Sequence, residues 1–312
     1  MITVSVPGKI HLMGEHAVVY GRPALLTAIN RRLSVSVSPG IKGIKVISDE
    51  PSEYIYQIAT LVLGNFRITK IPGVTITVIS DIPSGYHLGS SAAVAVATIG
   101  ALTYFLKKIW NPPLFNKLAY EAEKIQHGNP SGGDNTAVTF GGLIWYRKEL
   151  EFLKSMWQLP FKPHKNIDHF FLINTGKPAE TTGEMVALVG AKIKSHRLQM
   201  EKLLSQNEIQ TKRITAALKD GNESELLDAI RLGERTLEGM GVVSAKVTLF
   251  IRAIEKAGGA AKILGGGGRS KGAGFVLCYH KEKKQIGNIC AEYRFGTSDI
   301  ALGGEGVRLD EK

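Results

Sequence analysis

Over the first eighty residues, apolar and polar positions alternate in short runs rich in β-branched side chains. ITVSV (2–6), PALLTAI (23–29), LSVSVS (33–38), IKVIS (44–48) and VTITVIS (74–80) therefore predict strands. A helical period replaces the alternation in SEYIYQIATLVLGNF (52–66), in the run from Leu88 to Phe105 and in PLFNKLAYEAEKIQ (113–126). GGLIWYR (141–147) predicts a further strand. Two prolines without periodicity in LPFKPHKN (159–166) mark a boundary, giving domains over 1–162 and 163–312. The second half predicts a strand at HFFLIN (169–174) and several helices between Thr182 and Lys256. Two strands, AAKIL (260–264) and GFVLCY (274–279), then flank a glycine-rich loop. Neither half has a regular βαβ rhythm, so the expected class is α+β.

Composition adds three constraints. The chain has 312 residues and a formal net charge of +11, which suits nucleic acid, an anionic membrane surface or a phosphorylated small molecule. Its cations are interspersed with Asp and Glu, so most of that charge reads as solvated surface. The only cysteines, Cys278 and Cys290, have no metal-ligand spacing, and a reducing, cytoplasmic setting fits. The start, MITVSVPGKI, lacks the pattern of a secretory signal. The longest apolar run, AAVAVATIGALTYFL from Ala92, is shorter than the roughly 18 residues of a membrane span, so a buried helix is expected there and no membrane partner.

The 35 glycines are clustered, and three clusters carry chemistry. HGNPSGGDN (127–135) is too rich in Gly and Pro for a helix or strand interior and predicts a shaped loop around one carboxylate, Asp134. PSGYHLGSSAAVAVA (83–97) runs a glycine loop into a helix tipped by Ser90 and Ser91. Exposed N–H groups there can hold a phosphate, and a serine hydroxyl can join the ligands of Mg²⁺. An ordinary serine cap gives the same pattern. PGKIHLMGEHAVVYG (7–21) sets Lys9, Glu15 and His16 after the first strand. Neither a Walker A loop nor a Rossmann fingerprint occurs; GGGGRSK (265–271) fails the Walker spacing. Phosphoryl transfer needs a phosphate cradle, a divalent cation, a cationic side chain and a carboxylate for the acceptor's proton. The serine-tipped helix, Glu123, Lys9 and Asp134 would supply them.

The order PGKIHLMGEHAVVYG, IPSGYHLGSSAA, HGNPSGGDN and KILGGGG resembles the GHMP kinases over nearly the whole chain. The resemblance implies a GHMP kinase fold, with a ribosomal-protein-like N-terminal domain and a ferredoxin-like C-terminal domain. It also implies ATP as co-substrate, Mg²⁺ as cofactor and, from GEHAVVYG with HGNPSGGDN, mevalonate as acceptor. By resemblance, Asp134 and Lys9 are the catalytic pair, and Glu123 and Ser91 the Mg²⁺ ligands. Ser80, Gly85, Tyr86, His87, Leu88, Gly89, Ser90 and Ser91 would form the ATP loop, while Glu15, His16 and Thr181 would contact the acceptor. A homodimer is compatible with the sequence.

Two departures stand out. His87 occupies a position that is usually glycine in the family's phosphate loop, and would be strained if that backbone needs a positive φ. GGGGRSKGAG brings Arg269 and Lys271 into a loop that is otherwise glycine-rich. The alternatives are another small-alcohol kinase of the family, including one acting on a different mevalonate position or on a sugar, and a non-catalytic, basic binding protein of the same fold. Lys9, Glu123 and Asp134 together argue against the binding protein, which needs none of them, and no nucleic-acid partner is expected.

Overall fold

The computed structural model describes all residues except 50–51, 71–72, 128–129, 151–152 and 312. The chain forms two compact units that are discontinuous in sequence. Unit 1 comprises 1–9, 28–142 and 304–312; unit 2 comprises 10–27 and 143–303.

Two long strands pass through both units. β1 (Ile2–Met13) continues past Pro7 and Gly8, so Lys9 lies within a strand and not in a connection after it. β2 (Pro23–Pro39) is one strand where the pattern predicts two. The polar interruption Asn30-Arg31-Arg32 is absorbed because Arg32 finds partners. Its guanidinium donates to Ser5 Oγ and to the carbonyls of Ser5, Glu305 and Gly306.

In unit 1 these strands join β3 (Ile44–Ile47), β4 (Val74–Ser80) and β11 (Arg308–Glu311) in the order β11-β1-β2-β4-β3. β2 and β4 are antiparallel, with Leu33 opposite Ser80 and Pro39 opposite Val74, while β3 runs parallel to β4. The helices of the unit are α1 (Ser52–Asn65), α2 (Ser90–Lys107), α3 (Pro112–His127) and α4 (Gly133–Phe140). At 18 residues, α2 is long and apolar enough to cross a membrane, so its length does not decide its environment. Its packing does. Residues 92–103 are all buried, and α1, α3 and α4 lie against it. An apolar helix enclosed by protein on several sides needs no lipid.

In unit 2, the first part of β2 pairs with β5 (Leu143–Lys148), and β5 with β6 (Lys154–Gln158). A separate antiparallel sheet, in the order β10-β7-β9-β8, contains β7 (Phe170–Asn174), β8 (Ala260–Ile263), β9 (Phe275–Tyr279) and β10 (Gly296–Ile300). The helices are α5 (Thr182–Ser195), α6 (Arg197–Asp220), α7 (Glu223–Met240), α8 (Ala245–Lys256) and α9 (Lys283–Tyr293). Phe171, Ile173, Leu204, Met240, Phe250, Ile263 and Val276 are buried in its core. Burying each such side chain contributes about 1.5–3 kcal/mol. Short polar elements (β6, β10, β11 and α9) escape the sequence pattern, because few of their residues face a core.

Candidate active site

Lys9 is the last residue of β1 that belongs to unit 1. Its side chain is buried, and its ammonium lies 2.9 Å from Asp134 Oδ2. Its backbone N–H donates to the Leu88 carbonyl at 2.9 Å, which fastens the loop before α2 to the strand. Gly89 makes that approach possible. It is left-handed, with φ +78°, and a Cβ there would lie 2.8 Å from Lys9 Cγ. Any side chain at 89 would displace the lysine.

Asp134 is not in a loop as its sequence context suggests. Residues 133–135 form the first turn of α4, entered through Gly132 at φ +85° and steadied by Ser131 Oγ, which accepts from Gly133 N–H. His127 closes α3, residues 128–129 lie outside the described residues, and only 130–132 of the segment are a described connection. A short helix forms here because αL Gly132 stands outside it as the cap, which leaves Gly133 as the one glycine within the helix. The placement favours an anion, since the first-turn dipole stabilises the carboxylate. The Asp134 side chain remains 38% exposed.

The other unit 1 candidates gather at the start of α2. Gly89 precedes the helix, Ser90 and Ser91 open it, and their N–H groups lie in its first turn. Ser91 Oγ donates to Glu123 Oε1 at 2.5 Å, and Tyr54 OH donates to the same oxygen at 2.8 Å. Burial, followed by the Glu123 charge, pushes the Tyr54 phenol far up, so it remains a donor. Tyr54 escapes sequence reasoning because nothing in SEYIYQ distinguishes it from the rest of the α1 core. Glu123 and Ser91 offer a carboxylate and a hydroxyl. These are hard oxygen donors, as Mg²⁺ requires when substrate phosphates and water complete its shell. Among the described residues no group of three or more His, Cys, Asp or Glu could hold a metal.

Ser80 ends β4, where its hydroxyl turns the chain by accepting from Ile82 N–H and donating to Ile82 O. Gly85 has φ +79° and His87 φ +62°. His87 therefore occupies the left-handed region that its departure from glycine makes costly. Tyr86 lies between them, and Leu88 is buried behind the loop.

Glu15, His16 and Thr181 belong to unit 2. Gly14, at φ +109°, brings the chain against Ala24 so closely that a Cβ would lie 2.4 Å from Ala24 Cα. Glu15 and His16 follow as buried polar residues. His16 has φ +59° and ψ −47°, a strained backbone of the kind kept at functional positions. Its Nε2 lies 3.0 Å from the Gly266 carbonyl. A carbonyl only accepts, so Nε2 carries the proton and Nδ1 is an acceptor, buried without a hydrogen-bond partner among the described residues. Burial lowers the His16 pKa and keeps the ring neutral.

Glu15 Oε1 accepts from Lys262 at 2.5 Å. Lys262 and Glu234 are further buried charged-type residues of this region that motif reasoning passes over. A single lysine in the apolar run AAKIL is the only signal for the first. Thr181 serves the helix that follows it. It caps α5, accepting from Glu184 N–H while Glu184 Oε2 accepts from Thr181 N–H and Oγ1. Glu180, beside it, accepts from the backbone N–H groups of Arg269 and Ser270 and from Ser270 Oγ. The inserted Arg269–Lys271 turn is thereby tied to the segment before α5.

Residues 53–142 match the family model for the GHMP kinase N-terminal domain. The chain is 33% identical to a mevalonate kinase of Archaeoglobus fulgidus, with 98% of this chain and 99% of that one covered. It is 30% identical to a mevalonate kinase of Pyrococcus abyssi, covering 100% and 98%. The fold superposes on L. major mevalonate kinase, solved in complex with R-mevalonate, with a TM-score of 0.82 at 20% identity over 97% and 96% of the two chains. Both units therefore adopt the GHMP kinase architecture. The chain belongs to the mevalonate kinase family within the GHMP kinases.

Proposed function

We propose that this enzyme transfers the γ-phosphoryl group of ATP to the 5-hydroxyl of mevalonate, acting in the cytoplasm, where its two cysteines remain free thiols. The observation that carries this reading is the 2.9 Å pair between buried Lys9 and partly exposed Asp134. Asp134 takes the proton of the acceptor hydroxyl as its oxygen forms a bond to the γ-phosphorus and the bond to the β-phosphate oxygen breaks. Lys9 holds the Asp134 carboxylate in place and offers positive charge to the transferring group. The residues from Gly85 to Ser91, with Ser80, hold the ATP phosphates against the first turn of α2. Glu123 and Ser91 would hold Mg²⁺, which supplies charge neutralisation on the phosphates when bound.

Glu15, His16 and Thr181 contact the acceptor in this reading. The neutral His16 ring offers Nδ1 to a hydroxyl donor, a buried acceptor otherwise costly to leave unpaired. A coupled assay of ADP release across mevalonate, phosphomevalonate, galactose and homoserine tests the assignment. Turnover with mevalonate alone is expected. Faster turnover with any of the other three overturns it.

A further inference from the structure

Unit 2 contains a sealed charge cluster that phosphoryl transfer does not itself use. Lys262 lies on β8, all four residues of which are buried. Its ammonium meets three acceptors: Glu15 Oε1 at 2.5 Å, the Ile263 carbonyl at 2.6 Å and the His11 carbonyl at 3.3 Å. Three donations use all three N–H bonds of an ammonium. The pair is closed to water, with side chains 0% and 2% exposed.

Glu234, Glu238 and His16 belong to the same unit as the pair. Glu234 of α7 is fully buried, its Oε2 accepting from Ile263 N–H at 3.0 Å, and burial raises its carboxyl pKa well above the usual range. Glu238, one turn further along α7, is engaged by Arg235 and Arg252. The His16 ring is neutral. Lys262 is the cation seen paired with Glu15.

We infer that Lys262 is a positioning residue for the acceptor: it cancels the charge of Glu15 and fixes its carboxylate, so that this segment can bind a hydroxy acid bearing a carboxylate of its own. The inference rests on the reading of Glu15 as an acceptor contact. Two consequences of removing Lys262 explain its role. A buried carboxylate without a counter-ion repels a second carboxylate brought nearby. It can relieve its own burial by taking a proton, which turns an acceptor toward the substrate into a donor. Either change weakens binding of mevalonate and leaves ATP binding alone.

Steady-state kinetics of Lys262→Met, Glu15→Gln and the double variant test this with mevalonate and ATP varied separately. Lys262→Met is expected to raise the mevalonate KM roughly tenfold or more, with kcat and ATP KM within about twofold of wild type. Glu15→Gln should also raise the mevalonate KM, and the double variant should be no worse than the worse single one, because Lys262 acts through Glu15. If Lys262→Met does not fold, Lys262→Gln keeps donors for the two carbonyls and removes the charge, with the same KM shift expected. A lower kcat with unchanged mevalonate KM would make Lys262 merely structural and overturn the proposal. Multiplying KM effects in the double variant would overturn it too. An unchanged mevalonate KM in Glu15→Gln would withdraw the acceptor role of Glu15, and the proposal with it.

Discussion

Each unit has a buried lysine joined to a carboxylate, and the two pairs differ chiefly in how they meet solvent. Lys9 and Asp134 sit 2.9 Å apart with the aspartate side chain 38% exposed. Lys262 and Glu15 sit 2.5 Å apart with both side chains closed off. A proton acceptor must be reachable by the group it serves, so the open pair suits chemistry. A sealed pair can exchange nothing with substrate through the lysine, and its value lies in holding a charge steady. The same two functional groups thus give a reacting site in one setting and a scaffold in the other.

The largest test of that contrast is Asp134→Asn. The change is nearly isosteric and removes the proton acceptor, so kcat should fall about 10²–10⁴-fold, or about 3–5.5 kcal/mol in barrier, with the fold retained. A variant keeping more than half of wild-type kcat would deprive the open pair of its chemistry.

Stability gives the next contrast. Lys262→Met strands a buried carboxylate and should cost about 3–5 kcal/mol in urea unfolding. Lys9→Met leaves Asp134 partly hydrated at a helix N-terminus, and about 1–2 kcal/mol is expected. Equal losses would mean that exposure does not separate the pairs.

Glu234 sharpens the sealed side through pH. Burial raises its folded pKa above the unfolded value of about 4.3, so the native state holds the proton more tightly. Its contribution to stability is then lost as pH rises from the unfolded value through the folded one. Glu234→Gln cannot lose a proton. Its stability should match wild type at low pH and exceed it increasingly across that window. A gap that narrows with rising pH would instead show Glu234 ionised and paired.

The smallest effect concerns the phosphate loop of the open side. His87→Gly removes a left-handed non-glycine residue, a relief of about 1–2 kcal/mol, offset by about 0.5–1 kcal/mol of added chain entropy. Stability should change by about 1 kcal/mol or less. ATP KM should follow the same course in both proteins between about pH 5.5 and 8.5, which brackets the ordinary histidine pKa of ~6.5. Weakening of wild type alone as pH rises would assign the imidazolium a phosphate contact.

Much of the fold was legible where side chains alternate or repeat against a core. Strands such as VTITVIS and GFVLCY and the helices α1 to α3 follow from that periodicity. The continuity of β2 was not, because Asn30-Arg31-Arg32 looks like a turn until Arg32 meets the carbonyls of Glu305 and Gly306, remote in sequence. The helix at Asp134 was also hidden, since its capping Gly132 and the adjacent Gly133 read together as a loop. Of the site, Lys9 and Asp134 stand in recognisable motifs, while Lys262 is a single lysine in the run AAKIL and Tyr54 and Glu234 lie in stretches that no motif marks. Their meaning depends on partners far along the chain, which local pattern does not encode.

The pairing of β1 with β11 has a consequence for how the protein is made. Thr3 lies opposite Glu311 and Ser5 opposite Arg308, so one edge of β1 has its partner in a strand that is translated almost a whole chain later. During synthesis that edge presents unpaired N–H and C=O groups, the kind of template on which other nascent strands assemble. Unit 1 therefore cannot finish folding in the order in which it emerges, and contacts this remote in sequence are slow to form. A chaperone that shields the β1 edge, or early docking of β2 on its other side, would decide how much of the newly made enzyme escapes aggregation.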